Sequence, residues 1–401
     1  MPPFPLHLSV ALDGAGWHPA AWRHHDARPG ELFSAGYWTG LAAEAERGLL
    51  DFLTIEDSLG LQSSRHEEAD GRADQVRGRL DAVLLAARIA PATSRIGLVP
   101  TATTTHTEPF HVAIGIATVD HVSHGRAGWR AQISARHAEA GHFGRRTFPV
   151  LTADGYDDPA LAGHVADLFA EAEDAVEVAR RLWDSWEDGA VIRDVPTGRY
   201  VDRDKLHYID FQGRWFGVRG PSITPRPPQG RPIVAALAHG PVPYGFAARA
   251  ADVVFVTPRD KDDARSIVDQ IRAAEAEAGR AEGRLRIFAD LEVHLEASAR
   301  AAADRKARLD ELDGAAHVPD VTVFTGTPGG LAGLLLDWRE AGLDGYRLRP
   351  GVLPSDLAAV TRGVVPALQA AGAFRGAYEA ATLRGLLGLA HPANRYAAAR
   401  G

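Results

Sequence analysis

Residues 37–58 read YWTGLAAEAERGLLDFLTIEDS. Leu41, Ala45 and Leu49 fall at i, i+4 and i+8, an apolar stripe that predicts a helix over Tyr37–Leu50. Asp51–Ile55 is then too short and too apolar for a further helix and predicts a strand, which stops at Glu56-Asp57-Ser58. Helix, buried strand and polar stop form a unit, and the unit recurs on both sides of this stretch.

Upstream, Leu6–Leu12 predicts a strand broken by Asp13-Gly14-Ala15-Gly16. Downstream, Leu80–Ala90 predicts a helix ended by Pro91, Arg95–Val99 a strand, Pro109–Val122 a helix that starts on proline, and Ala127–Ile133 a fourth strand. After a long interval the alternation resumes. Strands are predicted at Pro232–Leu237, Asp252–Val256, Arg286–Leu295 and Gly345–Leu348, with helices at Tyr244–Ala251, Asp262–Gly279, Ser298–Leu312 and Leu331–Ala341. Eight strands, most followed by a helix, predict an α/β fold, a (β/α)8 TIM barrel with a long insertion after the fourth strand. Such a barrel needs roughly 250 residues. The surplus collects between about residues 135 and 230, where Phe169–Trp186 predicts one helix. Thr147–Gly163 and Val191–Pro228 read there as excursions at the barrel mouth, and Pro221–Pro232, with five prolines, as a stiff connector. No internal repeat is present, and we expect residues 1–401 to form one elaborated domain with this insertion as its lid.

Composition narrows the function. With 44 Lys+Arg against 52 Asp+Glu, a net charge of −8 and no Lys/Arg-dense run, the chain is not built for nucleic acid or an anionic membrane. It has no cysteine, which excludes disulfides, thiolate zinc sites, Fe–S ligation and a cysteine nucleophile. The stretch MPPFPLHLSV lacks the cationic and apolar regions of a signal peptide, and no stretch is long enough for a membrane span, so a cytoplasmic protein is expected. Gly14-Ala15-Gly16 follows a strand, but Pro19 stands where a dinucleotide fingerprint needs its third glycine. Gly326–Gly333 lacks the Lys-Ser/Thr ending of a phosphate loop and reads as a capped helix start, and no G-x-S-x-G or HExxH run occurs. His24-His25-Asp26 and the pair His137 and His142 are poor metal ligands, because adjacent residues point apart and a spacing of five misses one helix face. No metal is expected.

In a parallel barrel the carboxyl ends of the strands meet at one mouth. That gathers Asp13–His18, Glu56-Asp57-Ser58, Thr101–His106 and Gln132-Ile133-Ser134, with the indoles of Trp17 and Trp22, into a setting suited to a planar heteroaromatic. Glu56 and Asp57 also suit a plainer role, capping the next segment.

At these residues the chain resembles the bacterial-luciferase-like flavin monooxygenases, in the branch acting on nitrilotriacetate, EDTA, dibenzothiophene sulfone and long alkanes. The resemblance runs nearly end to end through Ala21-Trp22-Arg23-His24, Ala45-Glu46-Arg47-Gly48, Thr93-Ser94-Arg95-Ile96-Gly97-Leu98, Glu108-Pro109-Phe110-His111, Gly125-Arg126-Ala127-Gly128-Trp129, Leu182-Trp183-Asp184-Ser185-Trp186, Arg219-Gly220-Pro221, Pro227-Pro228-Gln229-Gly230-Arg231-Pro232 and Pro392-Ala393-Asn394-Arg395. It implies a barrel that takes reduced FMN from a separate flavin reductase. Dioxygen would add to the flavin as a C4a-(hydro)peroxide and oxygenate a small organic substrate, and the relatives imply a homodimer or homotetramer.

Carried over residue by residue, the resemblance makes Asp57, with Glu56 beside it, the acid at the flavin ring, Thr103 and Ser134 the hydroxyls after the third and fourth strands, and His18 the acid/base or peroxide-orienting group. The chain departs from the family where flavin would be held. Arg130 replaces the ring-contacting Asn, Ile133 a Thr, and Phe169 a Tyr whose hydroxyl reaches the phosphate; the Gly/Ser-rich phosphate loop becomes Ala238-His239-Gly240-Pro241-Val242-Pro243. His239 and Gly240 are still expected at the cofactor, and Arg130 or His239 could supply a compensating cation. The same departures suit two alternatives: a flavin-less barrel acting as the non-catalytic subunit of an active paralogue, and an oxidoreductase using the deazaflavin F420.

Overall fold

The computed structural model describes residues 6–63, 70–150, 159–280 and 283–397. Of the excursion expected over 147–163, residues 151–158 lie outside the described residues. The chain begins with β1 (His7–Leu12), α1 (Ala35–Arg47), β2 (Phe52–Ile55), α2 (Ala82–Ile89), β3 (Gly97–Thr103), α3 (Pro109–Val122) and β4 (Gly128–Gln132). α4 (His137–Gly141), α5 (Pro159–Asp184) and two small hairpins, β5 (Val191–Asp194) with β6 (Arg199–Val201) and β7 (Phe211–Gln212) with β8 (Gly217–Val218), follow. The alternation then returns as β9 (Ile233–Leu237), α6 (Pro241–Ala250), β10 (Val253–Val256), α7 (Lys261–Glu277), β11 (Arg286–Leu295), α8 (Ala299–Asp313), β12 (Thr322–Gly326), α9 (Pro328–Arg339) and β13 (Gly345–Pro350). Short helices α10 (Ser355–Ala359), α11 (Val365–Ala370) and α12 (Leu383–Leu386) end it.

Eight parallel strands close a ring in the order β1-β2-β3-β4-β9-β10-β11-β13, and β13 pairs back to β1 from His7↔Gly345 to Val10↔Leu348. These are the eight strands expected from the sequence, closed as a (β/α)8 TIM barrel. One strand of the barrel sheet was not expected. β12 pairs with the upper part of β11, from Leu291↔Thr322 to Leu295↔Gly326, taking over the edge that β10 occupies lower down. Its sequence, Thr-Val-Phe-Thr-Gly, is half-buried and short, so no apolar run marked it.

Strands shielded on both faces must be apolar throughout, and Val-Val-Phe-Val in β10 is fully buried. Local signals fix the helix starts: Ser34, Asp81, Asp260, Ser298 and Thr327 each accept a backbone N–H in the first turn of α1, α2, α7, α8 and α9. Thr327 caps α9 where Gly326–Gly333 was read as a capped helix start. Part of the long insertion joins the helical layer rather than the mouth. α5 packs on α3 and α6, and its Trp183, buried to 1%, donates Nε1–H to the Ala113 carbonyl at 2.9 Å. The proline-rich connector is pinned through Gln229. Its side chain donates to Asp120 at 2.6 Å and accepts from the Arg384 N–H at 2.7 Å.

Inside the ring the composition changes with height. The amino-terminal end is filled by Phe52, Val99, Ile233, Val253, Phe255 and Phe288, and Leu383 and Leu387 from the region of α12 close it from below. The carboxyl-terminal half is lined with charge.

Candidate active site

The inward positions of β11 and β13 alternate, so Asp290, Glu292 and His294 on one strand face Arg347 and Arg349 on the other. Asp290, fully buried, accepts from Arg347 Nε at 2.8 Å and from Arg349 Nε at 3.1 Å. Arg347 also donates to Glu56 at 3.0 Å, and Glu56 accepts from Arg130 at 2.8 Å on its other oxygen. Arg349 continues outward to Asp320 at 2.7 Å. Burial favours the protonated form of Glu56, but Arg130, Arg347 and Arg349 outweigh it and hold the carboxyl below its ordinary range. The result is a fixed ionic floor, which no string in the sequence announced. The signal was available: charged residues at every second position of β11 and β13 had to point inward if the other face met the helices.

Above this floor lies a cavity of about 630 Å³. At its deep end, one Arg130 Nη donates to Glu56, to Thr101 at 3.1 Å and to Gln132 at 2.8 Å. The buried Arg130 Nε has no hydrogen-bond partner among the described residues. Gln132 is fixed in turn by donating to the Asp57 carbonyl at 3.2 Å. Ser58 donates to Glu139 at 2.9 Å and Ser134 to its other oxygen, so a buried carboxylate from α4, missed in the sequence, sits under both hydroxyls. The outer end of the cavity is lined by Phe169, Phe246, Leu237, His239 and Asp320. Phe169 packs on Phe246 with ring centroids 5.7 Å apart. His239 contacts Thr257 Oγ1 at 2.9 Å, and Gly240 precedes α6, whose first and third residues are prolines. The whole lining carries three guanidiniums (Arg79, Arg130, Arg136) and five carboxylates (Asp13, Glu56, Asp57, Glu139, Asp320).

The structure thus brings Glu56, Asp57, Arg130, Ser134, Phe169 and His239 onto one cavity. Asp57 also caps: its two oxygens accept from the Ser58 and Ala82 N–H groups at 2.7 and 2.9 Å, the latter at the start of α2. Burial nevertheless pushes the Asp57 carboxyl above its ordinary range. Thr103 lines a different cavity of about 570 Å³ between α2 and α3, which touches the first through Asp57 and Ser58.

His18 also stands apart. It lines a cavity of about 360 Å³ that shares Asp13, Trp17, Gln62 and Ser63 with the larger one. The loop carrying it docks on the loop after β13, where Trp17 N–H and His18 N–H donate to Pro350 and Gly351 carbonyls at 2.9 and 3.1 Å. Only glycine suits Gly16 at φ +131, where a Cβ would lie 2.3 Å from the Gly351 carbonyl oxygen. Both ring nitrogens of His18 are engaged: Nδ1 accepts from the Ala20 N–H at 3.1 Å, and Nε2 donates to Asp310 at 3.0 Å. Burial, the largest influence, pushes His18 down to about 4, so it is neutral near pH 7. Beside it, Glu292 accepts from His294 at 2.8 Å and His317 at 3.0 Å, which brings it to about 2 against the effect of burial. Trp17 separates the two cavities. Its N–H donates to Ala11 at 3.0 Å, and Arg349 lies 4.3 Å from its ring centroid.

Adjacent residues do not point apart at His24-His25-Asp26, where metal ligation was not expected. A tight turn there brings one ligand atom from each within 4.8 Å of the others at the surface. No helix among the described residues is long and apolar enough to cross a membrane.

Comparison with known proteins places this geometry in context. The family model described as Luciferase-like monooxygenase matches residues 15–345. The chain is 32% identical to N-acetyl-S-(2-succino)cysteine monooxygenase of Bacillus subtilis (strain 168), over 98% of each chain. It is 30% identical to nitrilotriacetate monooxygenase component A of Aminobacter aminovorans, again over 98% of each. Among solved structures, a long-chain alkane monooxygenase superposes with a TM-score of 0.84 at 24% identity, covering 96% of this chain and 95% of that one.

Proposed function

The chain belongs to the luciferase-like monooxygenases, which are flavin-dependent, and from that premise we propose that it is an FMNH2-dependent two-component monooxygenase acting on a small organic substrate. Reduced FMN would come from a separate flavin reductase, and a homodimer or homotetramer is the expected assembly. The observation that carries the reading is the open cavity of about 630 Å³ lined by Asp57, Arg130, Gln132 and Ser134. Its volume falls within the roughly 300–1,000 Å³ of sites that bury a cofactor-sized ligand. A flavin ring system presents carbonyl and ring-nitrogen acceptors along one edge, and the guanidinium of Arg130 and the amide of Gln132, both lining the cavity, are donors of the kind that edge takes. These donors support a ring lying at the deep end.

When bound, reduced flavin supplies the electrons that activate dioxygen for transfer of one oxygen atom to the substrate. The rest of the work falls to this chain. Glu56 and Gln132 hold Arg130 at the floor. Glu139 orients Ser58 and Ser134 along the wall. Trp17 and Trp22, each tied to a backbone carbonyl, give rigid indole faces to the 360 Å³ cavity, which we assign to the substrate. His18, held neutral and hydrogen-bonded to Asp310, shapes that chamber.

The test is an anaerobic titration of the purified protein with reduced FMN, followed by oxygen uptake in the presence of a flavin reductase. Binding together with substrate-dependent uptake is expected; absence of binding at millimolar flavin would remove the reading. A second reading, the flavin-less partner of an active paralogue, is favoured by the prolines and Phe169 at the outer end. It predicts co-purification with a homologous chain and no uptake by the isolated protein. Adding F420 to the same titration covers the remaining alternative.

A further inference from the structure

The two ends of the 630 Å³ cavity differ in what they can bind, and the difference bears on the cofactor itself. A phosphate is ordinarily held by several backbone N–H groups at a helix start, by hydroxyls and by cations. Among the described residues the outer end offers one ionisable donor, His239, whose imidazole is held below its ordinary range by burial. Gly240 precedes α6, whose Pro241 and Pro243 have no N–H, leaving Val242 as the donor of its first three residues. Phe169 and Phe246 present carbon where a hydroxyl could have stood, and the Asp320 carboxylate lines the same end. The lining as a whole carries more carboxylates than guanidiniums, which disfavours a dianion. Arg130 is buried and already committed to Glu56, Thr101 and Gln132.

We infer that this site takes the ring system of a reduced flavin and does not read the 5′-phosphate, so that dephosphorylated flavin (riboflavin) binds about as well as FMN. This rests on the flavin reading proposed above. Two charge-assisted hydrogen bonds to a phosphate are worth about a hundredfold in affinity or more, and that preference should be absent here.

The experiment is a pair of anaerobic titrations of the full-length protein with reduced FMN and reduced riboflavin, followed by calorimetry or flavin fluorescence, on the wild type and Phe169→Tyr. In the wild type the two dissociation constants are expected to agree within about threefold; a larger preference for FMN overturns the inference. In Phe169→Tyr, which returns a hydroxyl to the outer end, FMN should bind about fivefold more tightly while riboflavin is unchanged. Equal shifts for both flavins, or none for either, would overturn the assignment of that end. If neither flavin binds the wild type, the flavin reading fails instead, and the two failures are told apart.

Discussion

Toward the amino-terminal ends of the strands the barrel interior is hydrocarbon, with the rings of Phe52, Phe255 and Phe288 spaced 5.5–6.3 Å apart. Toward the carboxyl-terminal ends it is guanidinium and carboxylate, and the two regions meet where the Arg347 guanidinium lies 4.1 Å from the Phe255 ring centroid. The lower region does what cores do: it removes apolar surface from water without much regard to orientation. The upper region is a costly way to fill space, because buried ion pairs often gain little over hydrocarbon of the same volume. What such a network does supply is fixed geometry. Every guanidinium in it is held by a carboxylate, as Arg130 is by Glu56 at 2.8 Å.

This contrast can be broken at its centre. Asp290→Ala removes the carboxylate shared by Arg347 and Arg349 and should cost about 3–5 kcal/mol in urea denaturation, since it leaves buried charge without its partner. If the loss were under 1 kcal/mol, the ionic region would be no more exacting than the aromatic one.

Acid should separate the regions next. His18 has its folded value lowered to about 4 from an ordinary 6.5, so between these values the unfolded chain binds a proton that the folded one refuses. Stability is therefore full above about pH 6.5 and falls toward pH 4, by up to about 3 kcal/mol. Glu292, held at about 2, adds a loss below about pH 4.5. Melting curves from pH 7.5 to 4.5 should show this slope in the wild type and a shallower one in His18→Asn.

A cut in the lower region tests the other side. Leu383→Ala should cost about 2–3 kcal/mol while leaving the pH slope unchanged. The smallest effect sharpens the role of the floor: Arg130→Met should weaken reduced-flavin binding about tenfold, with Arg130→Lys intermediate, read by anaerobic titration.

The ring of eight strands was legible because doubly shielded strands need continuous apolar runs, and prolines, glycines and capping residues marked their ends. β12 was not legible, because half-buried Thr and Gly positions look like loop. At the site, the residues at strand ends were legible by position, which brought Glu56, Asp57 and Ser134 together, while Arg130 entered through the family resemblance. Their partners were not. Glu139 sits in a short helix of five residues, and Asp290, Arg347 and Asp310 approach only through closure of the barrel, some 290 residues away in the case of His18 and Asp310. Spacing along one segment carries no trace of pairings that long-range closure creates.

Leu383 and Leu387 fill the barrel from below, yet they follow all eight strands in the chain. A chain that has emerged only through β13 carries every strand of the ring but lacks the two leucines that cover its base. Completion of the interior must wait for this late stopper. Truncations that remove α12 should therefore lower the yield of folded protein far more than their distance from the catalytic mouth suggests.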